Sequence, residues 1–156
     1  MFAANWIMYV EDRFKKVREI RDEVFIKGMG MSEDEVYDKR DYYAFHLLVT
    51  DAETGDPMAC ARIRADDHDY ECTYVGDIAV REKYQKQANY AEFALRMLLY
   101  KAQKLSAPTV LARIREDELS MYSKFGFKEM LRENGKVTVT VPRDEILWPS
   151  ECHGDA

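Results

Sequence analysis

The chain has 156 residues, 47% of them hydrophobic and 12% aromatic, which suits one domain with a full core and argues against disorder. Its net charge of −6, with lysines and arginines dispersed among acids, does not supply the concentrated basic face that nucleic-acid binding needs. No apolar run reaches the ~18 residues of a membrane span, and the start "MFAANWIMYVED" lacks the basic segment of a signal peptide.

Cys60, Cys72 and Cys152 fit no zinc spacing and leave an odd thiol. The expectation is a cytoplasmic protein with reduced cysteines and no metal, nucleic-acid or membrane partner. An acidic surface also suits a cationic small molecule.

In chain order, residues 5–10 read as a first strand. Over residues 13–27, Phe14, Val17, Ile20 and Val24 recur at helical spacing, Asp12 stands at the cap position, and Gly28 and Gly30 stop the helix. "SEDEVYD" predicts a short helix with Ser32 as N-cap and Glu35 as its capping-box partner. Two β-prone runs flank the turn residues 51–57 and predict a hairpin.

Residues 72–80 form the next expected strand. Residues 90–104 carry a helical stripe of Tyr90, Phe93, Ala94, Met97 and Leu98. After Pro108, residues 109–114 read as a buried strand. "EDELSMYSKF" is a brief helix before Gly126, and Asn134-Gly135 marks the turn of a last hairpin.

The order β-α-α-β-β-β-α-β-α-β-β requires one parallel pair with a right-handed crossover, and the hairpins make the remainder antiparallel. The fold class is α/β, a mixed sheet with helices on both faces. Residues 1–142 form one domain, and residues 143–156 form a tail whose Ile146, Leu147 and Trp148 can dock on the body.

Two segments carry chemistry. In "GDIAVREKYQKQANYAEFALRMLL" a strand passes through a glycine-free turn into a helix, the place where backbone N–H groups and the helix dipole hold phosphate. In "LSMYSKFGFKEM" Tyr122 stands just ahead of Phe125-Gly126-Phe127. Together, in this order, they resemble the GCN5-related N-acetyltransferase (GNAT) family over roughly residues 43–141. Arg21, Val24, Phe25, Glu35, Asp38 and His46 are similar to positions in a bacterial subgroup of small acetyltransferases.

The resemblance implies acetyl-CoA as co-substrate, bound in the cleft between the strand of Val80 and the strand of Leu111. Its pyrophosphate would sit at the turn Gln85, Lys86, Gln87, Ala88, Asn89, Tyr90 and Ala91. Two registers remain open there. In the favoured one Gln85 matches and Ala88 and Tyr90 replace the family's glycines. In the other, Lys86, Asn89 and Ala91 take those places, and Asn tolerates the left-handed backbone best.

Ile78, Ala79 and Val80 would face the pantetheine arm and acetyl group, with Gly76 marking a bulge. Tyr122 is the implied acid that protonates the CoA thiolate, and Asp77 is the preferred base for the acceptor amine. Glu71, Glu35 and His46 are the other candidates for that base, although His46 reads as core and Glu35 as a cap. Arg115 stands where many family members have Asn. The acceptor is a primary amine of a small molecule or peptide, and a homodimer is left open. Two rival readings also stand: a CoA-binding sensor without turnover, and a fold kept without cofactor.

Overall fold

The computed structural model describes residues 1–150, so Cys152 and the end of the predicted tail lie outside the described residues. Seven strands form one sheet in the order β1-β2-β3-β4-β5-β7-β6. They are β1 (Phe2–Ile7), β2 (Phe45–Asp51), β3 (Pro57–Ala65), β4 (Cys72–Val80), β5 (Thr109–Arg115), β6 (Lys128–Glu133) and β7 (Lys136–Pro142). Every neighbouring pair is antiparallel except β4 and β5.

The helices are α1 (Phe14–Arg21), α2 (Glu33–Val36), α3 (Tyr90–Gln103) and α4 (Leu119–Lys124). Alternation along the strands sorts their side chains to two faces. Leu47 and Val49 of β2, Ala61 and Ile63 of β3, and Ile78 and Val80 of β4 meet the buried stripe Ala94, Leu95, Leu98 and Leu99 of α3. Leu48, Cys60 and Ala79 point the other way, onto Phe14, Val17 and Ile20 of α1. The predicted helix on each face is therefore present, and each covers alternate residues of the same strands.

Three details differ from the sequence reading. β1 runs from Phe2 to Ile7 because its register opposite β2, Phe2 against Asp51 through Ile7 against His46, sets its length. The chain then turns, with the Glu11 N–H bonded to the Met8 carbonyl at 3.1 Å. Asp12 caps nothing: Arg13 holds the N-cap position of α1, in helical conformation and without a side-chain cap.

The long first helix also changes pitch at Asp22, continuing to Lys27 as π-type turns. The wider turn rotates the buried face by one residue. Phe25 is thereby packed inside, while Val24 is only half-buried.

The Ser32–Glu35 capping box is present, with the Ser32 N–H on Glu35 Oε1 at 2.8 Å and the Glu35 N–H on Ser32 Oγ at 3.3 Å. In the last hairpin both Asn134 (φ 54°) and Gly135 (φ 76°) are left-handed, as its two-residue turn demands. Of the predicted tail, Ile146 is buried, Trp148 stacks on Tyr100 at 4.7 Å, and Arg96 donates to the Pro149 carbonyl at 2.6 Å.

Candidate active site

Two local features open the middle of the sheet. β4 and β5 pair for only three residues, Cys72 to Tyr74 against Thr109 to Leu111, and then part. On its other side β4 carries a bulge: Cys60 and Arg62 of β3 stand opposite Ala79 and Gly76, so β4 has one residue extra. Gly76 (φ 155°) and Asp77 (φ 51°) absorb it, the latter in a conformation that costs most side chains ~1–2 kcal/mol and Asp somewhat less. The expected bulge at Gly76 is real, and it turns the end of β4 away from its neighbour.

Three adjoining spaces line this opening. The first, of about 280 Å³, runs along Ile78, Ala79 and Val80 to the turn before α3, where Gln85, Ala88, Asn89, Tyr90 and Ala91 form its wall. Lys86 and Gln87 are exposed and lie outside that wall. The second is a gap of about 50 Å³ bordered by Ile78, Tyr122, Arg115 and Glu118. The third, of about 680 Å³, lies beyond the bulge against Val75, Gly76 and Asp77. Neighbouring spaces share walls: Ile78, Arg115 and Glu118 border the first two, and Asp77, Arg113 and Lys136 border the last two.

The turn is built without left-handed residues. Among the described residues only Asp77 and Asn134 have positive φ without being glycine. The expected left-handed role of Asn89 is therefore corrected. At φ −84° it is the N-cap of α3, accepting the Glu92 N–H at 3.0 Å. A short helical turn at Glu82–Tyr84 and the Gln85 amide, which donates to the Val80 carbonyl at 3.0 Å, fold the segment back on the strand. Among the described residues, the N–H groups of Ala88, Asn89 and Ala91 find no acceptor. All three residues border the first space at the start of α3.

Tyr122 is fully buried, in edge contact with Phe127 at 5.2 Å, and its hydroxyl has no hydrogen-bond partner. Burial pushes the phenol well above its ordinary pKa, so it stays protonated. One helical turn earlier is Glu118, whose carboxylate accepts the Arg115 N–H at 3.0 Å and whose pKa burial also raises.

Across the gap Asp77 is 40% exposed and meets Arg62 Nε at 3.0 Å. Arg62 in turn binds Asp38 and Asp41, and the buried Arg21 holds Asp41 with two bonds of 2.9 and 3.2 Å. This chain of charges under the bulge ties α1 to β3 and β4.

The other base candidates resolve differently. His46 is buried, its Nε2–H on the Asp41 carbonyl at 2.9 Å, and burial lowers its pKa, so it is a neutral core residue. Glu35 carries the capping box, although it also borders the two spaces beyond the bulge. Glu71 is exposed and lines none of the three. Glu118, Arg62 and Arg64 escaped the sequence reading. No motif marks them, though Glu118 lies four residues before Tyr122, the spacing of one helix face.

The family model described as acetyltransferase (GNAT) family matches residues 14–127. The chain belongs to that family. As a member it is an acyltransferase, and the GNAT fold binds acetyl-CoA. Solved structures agree on the fold. Escherichia coli ElaA superposes with a TM-score of 0.74 at 15% identity, covering 90% of this chain and 99% of that one. A suggested N-acetyltransferase from Lactobacillus plantarum gives 0.76 at 14%, covering 90% and 97%. The ribosomal-protein-S18-alanine N-acetyltransferase of Escherichia coli gives 0.65 at 16%, covering 91% and 94%.

No curated protein is similar enough to match. Among the described residues no group of three or more His, Cys, Asp or Glu is placed to hold a metal ion, and no helix is long and apolar enough to cross a membrane.

Proposed function

We propose that the chain transfers the acetyl group of acetyl-CoA directly to a primary amine of a small molecule or peptide, both substrates being bound together. The observation that carries this reading is that the three spaces adjoin through shared wall residues, with Tyr122, whose hydroxyl is unpartnered, in the wall of the narrow middle one.

The free N–H groups of Ala88, Asn89 and Ala91 fit a pyrophosphate at a helix start, a geometry that needs donors and not glycine as such. Ile78, Ala79 and Val80 wall the pantetheine arm. Lys86 and Gln87, exposed beside this turn, supply at most outer contacts to phosphate. Arg115 borders the same cleft, its charge answered by Asp117 at 3.1 Å and Glu118 at 3.5 Å.

The amine enters from the far cavity. Asp77 takes its ammonium proton, directly or through a water, and the freed nitrogen attacks the thioester carbonyl. As the new C–N bond forms and the C–S bond breaks, Tyr122 gives its proton to the departing thiolate, and the proton that the attacking nitrogen sheds on becoming an amide returns through water to the Tyr122 oxygen. A phenol raised by burial suits this task, because it remains protonated until a strong base develops beside it. Glu118 is the second candidate for the base, since a carboxyl with a raised pKa is a better proton acceptor once ionised.

The decisive experiment follows free thiol release from acetyl-CoA across a panel of amines, beside thermal stabilisation by acetyl-CoA. Stabilisation with amine-dependent thiol release is expected. Stabilisation without thiol release across the panel would favour a CoA sensor, and no stabilisation near millimolar acetyl-CoA would remove both readings.

A further inference from the structure

We propose that the acceptor is a small amine carrying a carboxylate or phosphate group, and that Arg64, Arg113 and Lys136 receive that group in the large cavity. The inference rests on the acetyl-transfer reading and names the substrate class of the same site. The cavity, about 680 Å³, has the size of small-molecule sites.

Its cations fall into two sets. Arg62 is answered by Asp38, Asp41 and Asp77, and Arg40 by Asp67 at 2.9 Å. Arg64, Arg113 and Lys136 have no carboxylate partner among the described residues. Arg64 is half-buried, bonded only to its neighbour's Ala65 carbonyl at 3.2 Å and lying 4.4 Å over the Tyr74 ring. Burial and the nearby Arg62 and Arg40 press its pKa down, against the opposing pull of Asp67 and Tyr43.

Arg113 is two residues from Arg115 on β5, and Lys136 pairs with Arg115 across the strands, so all three share one face, where Arg115 is already held by Asp117 and Glu118. Two further carboxylates border the cavity, Asp66 and Glu35, and each is tied to a local backbone N–H, of His68 and Ser32. Asp77, Arg113 and Lys136 border the narrow gap at Tyr122 as well, while Arg64 borders the large cavity alone. A zwitterion fits with its amine toward Asp77 and its anion on the arginines, whereas a polyamine would set a second ammonium against three cations. The charge of the whole chain, which suits a cationic ligand, is reversed locally.

The test compares matched amines in the thiol-release assay: β-alanine with β-alaninamide, and O-phosphoethanolamine with ethanolamine, plus spermidine. The acid member of a pair is expected to have the higher kcat/KM, by about tenfold or more. Arg64→Ala, Arg113→Ala and Lys136→Ala should each raise its KM by about 10- to 100-fold, the loss of one charge-assisted hydrogen bond, with the KM for acetyl-CoA unchanged. The pair that responds distinguishes carboxylate from phosphate.

Titration of the same acids into the CoA-bound protein supplies a readout without turnover, and Arg64→Ala should abolish it. Equal or better rates with ethanolamine, β-alaninamide or spermidine would overturn the proposal, as would acids that bind neither the protein nor its Arg64 variant. If acetyl-CoA gives no stabilisation while O-phosphoethanolamine still binds through Arg64, acetyl transfer fails and the anion site stands.

Discussion

The Arg62 guanidinium meets Asp77 at 3.0 Å across the bulge of β4, joining the strained corner of the cleft to the buried charges beneath it. Asp77→Asn keeps a residue that tolerates the left-handed backbone while removing the negative charge. If Asp77 receives the amine proton, kcat/KM should fall by about 10²-fold or more, with affinity for CoA retained. Steady-state kinetics beside a CoA titration checks this, and undiminished turnover would move the role to Glu118.

Tyr122→Phe separates stability from chemistry. Its buried hydroxyl lacks a partner, so removing it should leave the fold as stable or stabilise it by about 1 kcal/mol. Turnover should nonetheless drop by about 10²-fold if the phenol protonates the thiolate. Denaturant melts and thiol-release rates on one preparation decide both halves. Unchanged turnover would remove the acid role.

Glu118 gives the pH dependence. Its folded pKa is raised by burial, so the folded state holds the proton more tightly than the unfolded chain. The resulting stabilisation is full below the ordinary carboxyl pKa of 4.5 and is lost as pH rises through the higher folded value. Glu118→Gln should therefore gain Tm relative to the parent at pH 7 and show no such gain near pH 4. An equal offset at both pH values would count against the burial effect.

The turn before α3 predicts the outcome of restoring glycine. No residue from Gln85 to Tyr90 has positive φ, so Ala88→Gly adds chain entropy without relieving strain. Affinity for CoA should change by less than about twofold and stability should not rise. Asn89→Ala should cost about 1 kcal/mol through loss of the cap. A large gain in CoA affinity with Ala88→Gly would show that the turn must change shape to bind.

Arg21 and Asp41 lie fully inside, bonded to each other twice. Arg21→Met should destabilise by about 3–5 kcal/mol, because Asp41 would keep its buried charge with only Arg62 to answer it. Urea denaturation measures this, and a change below about 1 kcal/mol would mean the site opens to water.

Periodicity alone determined most of the architecture. The β-prone run of residues 72–80, the helical stripe after Tyr90 and the Asn134-Gly135 turn report local physics, and each gave the element found. The Ser32–Glu35 box and the core placement of His46 were equally legible, since one is a local bond and the other an apolar setting. The order of the two motif segments carried the family.

Tertiary structure decided the rest. β1 ends where its partner ends, and the π-type turns at Asp22–Lys27 turn Phe25 inward, neither of which has a local signal. One register of the glycine-free turn puts Asn89 in a left-handed backbone, yet the folded chain uses it as the N-cap of α3, beside a short helical turn at Glu82–Tyr84. The uncompensated cations of Arg64, Arg113 and Lys136 come from three strands, and the acidic total charge concealed them. Charge pairing depends on which side chains meet across the sheet, and only the folded chain fixes that.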